Sequence, residues 1–206
     1  MSRAVCSNCG YINDFERARC TFCMEAIKMS KTIIIDPGHG GDDNGATWGY
    51  TEEDDINLIV SFLLRCELEK QGYEVYLSRE SDHAVSLRKR TNHANSLQAN
   101  LFISIHCDAF HNITAKGMSV HVYPGPSNET LSLAQRINAA LVADFKDHTS
   151  RGVKASNFHV LRETTMPAVL IECEFLSNPE TRRFLREPES QLALAQAISK
   201  GVNYED

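Results

Sequence analysis

The stretch IIIDPGHGG, residues 33–41, runs three β-branched residues straight into Asp-Pro-Gly-His-Gly-Gly. A short apolar run bounded by turn residues reads as a buried strand, since branched side chains pack well on a pleated surface. Pro37 and the glycines stop the strand and leave one histidine, His39, at the tip of the turn.

Working outward, the next segment reads EEDDINLIVSFLLRCELEKQG. Its apolar residues Ile56, Val60, Leu63, Leu64 and Leu68 make a helical stripe, with acids in the first turn and Gly72 as a stop. YEVYLSR, LFISIHCD, GMSVHVYP, FHVLR and PAVLIECEFL read as strands. AVSLRKRTNHANSLQ, NETLSLAQRINAALVADF and PETRRFLREPESQLALAQAISKGVNY read as helices, the last broken at Pro188. Strands alternating with helices predict an α/β fold, a mostly parallel sheet flanked by helices on both faces. In such sheets ligands sit outside the carboxyl ends of the strands.

Composition narrows the function classes. The chain has 206 residues, 42% of them hydrophobic, enough for one ordinary domain and a small appendage. A net charge of −6 argues against sequence-independent nucleic-acid binding. No segment approaches the roughly 18 apolar residues of a membrane span. MSRAVCSNCGYIND lacks the apolar centre of a secretory signal, so synthesis in the cytoplasm is expected.

Four of the seven cysteines form CSNCGYINDFERARCTFC: Cys6, Cys9, Cys20 and Cys23. Two CxxC pairs at this spacing suit a closed tetrahedral zinc site, structural rather than catalytic. Disulfides are the weaker reading, because a cytosol keeps thiols reduced. Residues 1–29 are thus expected to be a zinc ribbon whose folding energy comes from the metal, with the larger domain at 30–206. Cys66, Cys107 and Cys173 are expected to be small buried hydrophobes.

Four polar residues then fall on one rim of the frame. His39 follows the first strand, Glu53 opens the first helix, His106 ends LFISIH, and Glu172 ends PAVLIE. Each alone has an ordinary explanation; a glutamate at a helix start is usually a dipole partner. Together, two imidazoles and a carboxylate are the ligand set of a catalytic zinc with one position open to water. A further carboxylate nearby would move the proton.

Residues from about 32 to 203 resemble the zinc-dependent N-acetylmuramoyl-L-alanine amidases of the amidase type 3 family. The motifs that carry the resemblance are IIIDPGHGG, EEDDINL, LSRESDHAVSLRKRTNHAN, LFISIHCDA, GVKASNFHVLR and PAVLIECEFLSN, in family order. The resemblance implies a mixed sheet and hydrolysis of the amide joining N-acetylmuramic acid to L-alanine in peptidoglycan. It implies a catalytic zinc on His39, Glu53 and His106, with Glu172 as general acid and base. Glu53 rather than Glu52 takes the ligand position, four residues before Asn57-Leu58.

Three positions depart from the family pattern: Asp54, where a basic residue is usual; Asp108, for an asparagine; and Glu174, for a glycine. Glu174 is expected to be solvated beyond the end of its strand. His83, His93, His111, His121, His148 and His159 fall on no metal position of the family and are expected at the surface or behind the site. Arg151 is a weak candidate for contacting substrate, a structural ion pair being an equal reading. Cys107 should face away from His106, against a Cys-His dyad. A wall hydrolase without an export signal fits a phage endolysin, released from the cytoplasm to the wall at lysis. A bacterial autolysin or mother-cell amidase is the alternative. A non-enzymatic wall-binding relative and a zinc peptidase are the remaining rivals.

Overall fold

The structure is a computed structural model that describes residues 30–202 and two short strands, β1 (Arg3–Val5) and β2 (Ile12–Asp14). These two strands pair antiparallel. Cys6, Cys9, Cys20 and Cys23, and with them the expected four-cysteine site, lie outside the described residues. The chain divides into two units, Met1–Lys31 and Thr32–Asp206.

In the larger unit the isoleucine run is β3 (Thr32–Pro37). A small hairpin, β4 (Thr47–Trp48) and β5 (Thr51–Glu52), leads into α1 (Glu53–Lys70). Then come β6 (Glu74–Leu77), α2 (Leu87–Ser96), β7 (Leu101–Asp108), β8 (Met118–Val122) and α3 (Asn128–Asp144). The chain continues through β9 (Ser150–Ala155), α4 (His159–Arg162), β10 (Ala168–Phe175), α5 (Pro179–Arg186) and α6 (Pro188–Val202).

Six strands form one sheet in the order β6-β3-β7-β10-β8-β9. The first four run parallel, and β8, paired antiparallel to β10, turns the last two the other way. The sheet is therefore mixed and mostly parallel, with helices on both sides.

Alternation along β3 shows why. Ile33 and Ile35 pack into one core with Val60, Leu64 and Ile198, from α1 and α6. Ile34 faces the other way, against Phe102, Leu170, Val160 and Leu161. A strand buried on both faces needs an unbroken apolar run.

The helix starts follow capping chemistry. Ser86 and Ser127 accept the backbone N–H groups of Lys89 and Thr130 at α2 and α3. Asn178 caps α5, with Pro179 in its first turn. Such caps contribute about 1 kcal/mol each. The helical break falls at Pro188, which opens α6.

Three expectations need correction, and one strand went unread. FHVLR is not a strand: His159–Arg162 is a helical turn that buries Val160 and Leu161. Short apolar runs fit either state, and tertiary burial decided this one. Ser150–Ala155 is an edge strand that the sequence hid, because its residues are largely exposed and follow no apolar pattern. Cys66 is exposed on α1, although Cys107 and Cys173 are buried. Glu174 is fully buried, because β10 continues through Phe175.

Candidate active site and metal centre

The turn after β3 carries His39 at a φ of 60°, a left-handed conformation that non-glycine residues seldom adopt. Two neighbouring residues must be glycine for the ring to sit there. A Cβ on Gly38 would lie 2.2 Å from Cε1 of His106, and one on Gly45 2.5 Å from Oε2 of Glu53.

Two buried arginines clamp the turn through its carbonyls. Arg79 donates to the carbonyls of Pro37 (3.1 Å), Gly38 (2.9 Å) and Asp54 (2.7 Å). Arg90 donates to Pro37 and His39, both at 2.6 Å, and pairs with the buried Asp36 at 2.8 Å. Ser78 and Ser104 complete the donors to Asp36. Sequence reading missed this clamp. Its signal was two arginines inside apolar-flanked segments, YLSR and SLRKR, where a solvated reading comes first.

Glu53 is placed by the first turn of α1 and held by the backbone. Oε1 accepts from Cys107 N (3.0 Å) and Asn57 Nδ2 (3.2 Å), and Oε2 from Ala46 N (2.8 Å). The same Oε1 lies 3.0 Å from Nδ1 of His106 and 3.3 Å from Nε2 of His39. The two rings meet edge to face, with centroids 4.9 Å apart. Nδ1 of His39 binds Asp43 at 2.9 Å, which turns Nε2 toward Glu53. One donor atom from each of His39, Glu53 and His106 lies within 4.8 Å of the others.

The charges follow from this geometry. The Glu53 hydrogen bond is the largest cause raising His39 to about 9, with Asp43 adding and burial opposing. Burial pushes Glu53 up, but the two imidazoles overcome it and hold the carboxyl well below its usual range. Two nitrogens and a carboxylate oxygen, each oriented from behind, fit a divalent metal ion, which would replace the proton shared among them.

Glu172 sits on β10 beside His106 of β7. Its Oε2 is buried and has no hydrogen-bond partner among the described residues. Burial raises its pKa to about 7, helped by Glu53 and Asp108 and opposed by His106 and His39. A cavity of about 770 Å³ is lined by His39, His106 and Glu172 together with residues of α2 and α4. A poised carboxyl in one cavity with the two histidines of a metal-type trio can move a proton beside an electrophile.

Other expected residues fall outside this cavity. Arg151 is on β9, its guanidinium 5.0 Å over the Phe175 ring. Cys107 is buried in the larger core, and burial pushes its thiol up, so no thiolate nucleophile stands by His106. Asp108 accepts the N–H of Ala109, and burial raises its carboxyl. Asp54 is buried and its carboxyl raised, again chiefly by desolvation.

Residues 33–204 match the family model described as N-acetylmuramoyl-L-alanine amidase. The chain is 41% identical to the N-acetylmuramoyl-L-alanine amidase CwlM of Bacillus licheniformis, over 82% of this chain and 64% of that protein. It is 37% identical to the sporulation-specific N-acetylmuramoyl-L-alanine amidase of Bacillus subtilis, over 82% of this chain and 66% of that one. It thus spans just under two thirds of the length of these two relatives. The crystal structure of an N-acetylmuramoyl-L-alanine amidase from Clostridium difficile superposes with a TM-score of 0.81 at 37% identity, covering 84% of this chain and 95% of that one. Fold, site geometry and sequence agree: the chain belongs to the N-acetylmuramoyl-L-alanine amidase family.

Proposed function

We propose that the chain is a zinc-dependent amidase that cleaves peptidoglycan between the lactyl carbonyl of N-acetylmuramic acid and the nitrogen of L-alanine. The observation that carries this is Glu172, whose Oε2 has no partner among the described residues, sharing a cavity with His39 and His106, whose donors converge with that of Glu53. When bound, zinc supplies a Lewis acid that polarises the amide carbonyl and acidifies water near neutral pH. The protein supplies the rest. His39, Glu53 and His106 hold the ion, and Asp43 fixes the tautomer of His39. Glu172 accepts the proton of the attacking water and returns it to the departing L-alanine nitrogen. Its pKa of about 7 suits both steps.

Mass spectrometry of digested peptidoglycan tests this reading. Free L-alanine amino termini with intact glycan are expected. Cleavage within the stem peptide would make the chain a zinc peptidase, and no cleavage a wall-binding relative.

We place the enzyme as a phage endolysin, made in the cytoplasm and acting on the wall after release. The similarity to a sporulation-specific amidase supports a second reading, a bacterial wall amidase of a sporulating cell. Cys6, Cys9, Cys20 and Cys23 would hold a second, structural zinc in a ribbon at residues 1–29.

A further inference from the structure

The hairpin that precedes α1 carries two aromatic side chains that stay outside the core. β4 and β5 pair Thr47 with Glu52 and Trp48 with Thr51, so Gly49 and Tyr50 make the turn between them. Gly49 has a φ of 66°, the left-handed conformation that a tight hairpin requires at its first turn residue. Tyr50 at the tip is fully exposed, and Trp48 is 43% exposed. A single aromatic at the surface is ordinary. Two on one short hairpin, beside the metal-type trio, are not: neither gains the burial that stabilises so large a side chain.

The hairpin is held at its base and braced at its side. The N–H of Glu53 donates to the Ala46 carbonyl at 3.0 Å, and the N–H of Ala46 donates to Oε2 of Glu53 at 2.8 Å. Trp48 is two residues from Ala46, about 7 Å along an extended strand. The brace is Arg182 of α5, whose guanidinium carbon lies 5.7 Å from the centre of the Trp48 ring and whose Nη1 donates to the Leu176 carbonyl at 3.0 Å. The cation covers one face of the ring, and the exposed remainder is a flat apolar surface of fixed orientation.

A sugar ring is the complement of such a surface. One face of a pyranose is apolar C–H, and its rim is hydroxyl, so it stacks on an aromatic plane and hydrogen-bonds at the edge. The Tyr50 hydroxyl, Thr47 and Glu52 supply polar groups along the same hairpin. Two rings set among polar neighbours fall short of the broad apolar centre of a protein interface. In the amidase reading above, on which this inference rests, the scissile carbonyl hangs from an amino sugar of a glycan strand. A sugar therefore lies next to the centre that Glu53 helps to build. We propose that Trp48 and Tyr50 form a saccharide platform that holds the glycan strand while its amide is cut. The two rings bind sugars and take no part in breaking the bond.

The chain has one tryptophan, so its intrinsic fluorescence reports on Trp48 alone. The test titrates peptide-free glycan chains, which offer no amide to cleave, into the zinc-loaded full-length protein. A saturable change in emission is expected, with the indole shielded from acrylamide quenching. Tyr50→Ala, at an exposed position, should weaken this binding about tenfold, the size of one aromatic stacking contact. The same change should lower the preference for long glycan strands over a single-sugar muramyl peptide about tenfold, through KM. Emission that ignores glycan in a protein that cleaves peptidoglycan overturns the platform and leaves the amidase reading standing. An emission change that follows protein concentration with no glycan present assigns the hairpin to a contact between copies and also overturns the platform. Saturable binding in a protein that cuts no peptidoglycan overturns the amidase reading and leaves a wall-binding platform.

Discussion

Glu172 and Glu174 stand two residues apart on β10, yet among the described residues they are partnered very differently. Glu174 accepts the backbone N–H groups of Gly117 (2.6 Å) and Phe175 (3.1 Å) and meets Nδ1 of His148 at 3.0 Å. Glu172 lines the cavity, and its Oε2 has no partner among the described residues. Pairing with β7 shifts register between Glu172 and Phe175, the step that sends the two side chains to different surroundings.

The two carboxylates should therefore fail differently. Glu172→Gln should keep the fold and bound metal while turnover drops about 10²–10⁴-fold, the usual worth of general acid–base catalysis. Glu174→Gln should cost about 1–3 kcal/mol of stability, because a buried acceptor set loses its charge, while folded molecules still turn over. Activity per bound zinc and thermal unfolding, measured on both, separate the cases. A dead Glu174→Gln beside an active Glu172→Gln would reverse the assignment.

Activity should follow the Glu172 titration. A base must be deprotonated, so kcat/KM should rise about tenfold per pH unit below 7 and level off above it. Stability runs the opposite way. The pKa is raised from 4.5, so the folded state holds that proton more tightly than the unfolded chain. Stability from this group is present below pH 4.5 and is lost as pH rises through about 7. Glu172→Gln in metal-depleted protein should then melt higher than wild type at pH 8 and equally at pH 4.

Gly38→Ala should disrupt the metal centre without a residue of that centre being touched. The new Cβ would meet the His106 ring at 2.2 Å, so either the ring or the turn must move. Bound zinc and activity are expected to fall together, with far-ultraviolet circular dichroism unchanged.

Arg90→Met should be the most destabilising of these changes. It leaves Asp36 buried without its cation, a loss of about 3–5 kcal/mol by the behaviour of broken buried pairs. A loss of unfolding free energy, from denaturant titration, of less than a quarter of that would show that Ser78 and Ser104 suffice.

Metal analysis of fresh protein should find two zinc ions per chain, and Cys6→Ser should leave one. His39→Ala, Glu53→Ala and His106→Ala should each remove the other ion and the activity. Mild chelation should inactivate before it empties a four-thiolate site, because thiolates hold zinc more tightly.

Much of this was legible in the residues because the physics was local. IIIDPGHGG declares a strand and its end within nine residues. The convergence of His39, Glu53 and His106 could be expected once each was placed at a strand end or helix start. Burial of Glu174 was not legible, because its partners, Gly117 and His148, lie 57 and 26 residues away. The arginine clamp was hidden for the same reason: Arg90 reaches Asp36 across 54 residues. Edge strand β9 has no apolar signature, since one neighbour and solvent ask little of its side chains.

The order of the sheet has a consequence for the timing of activity. β10 is the last strand of the large unit to be synthesised, yet it lies between β7 and β8, near the middle of the sheet. Until residues 168–175 have left the ribosome, the sheet has no centre and Glu172 does not exist. Domains made in this way complete as a unit rather than by accretion from one edge. A growing chain therefore lacks the Glu172 carboxyl, and the strand that pairs β7 with β8, until its final strand arrives.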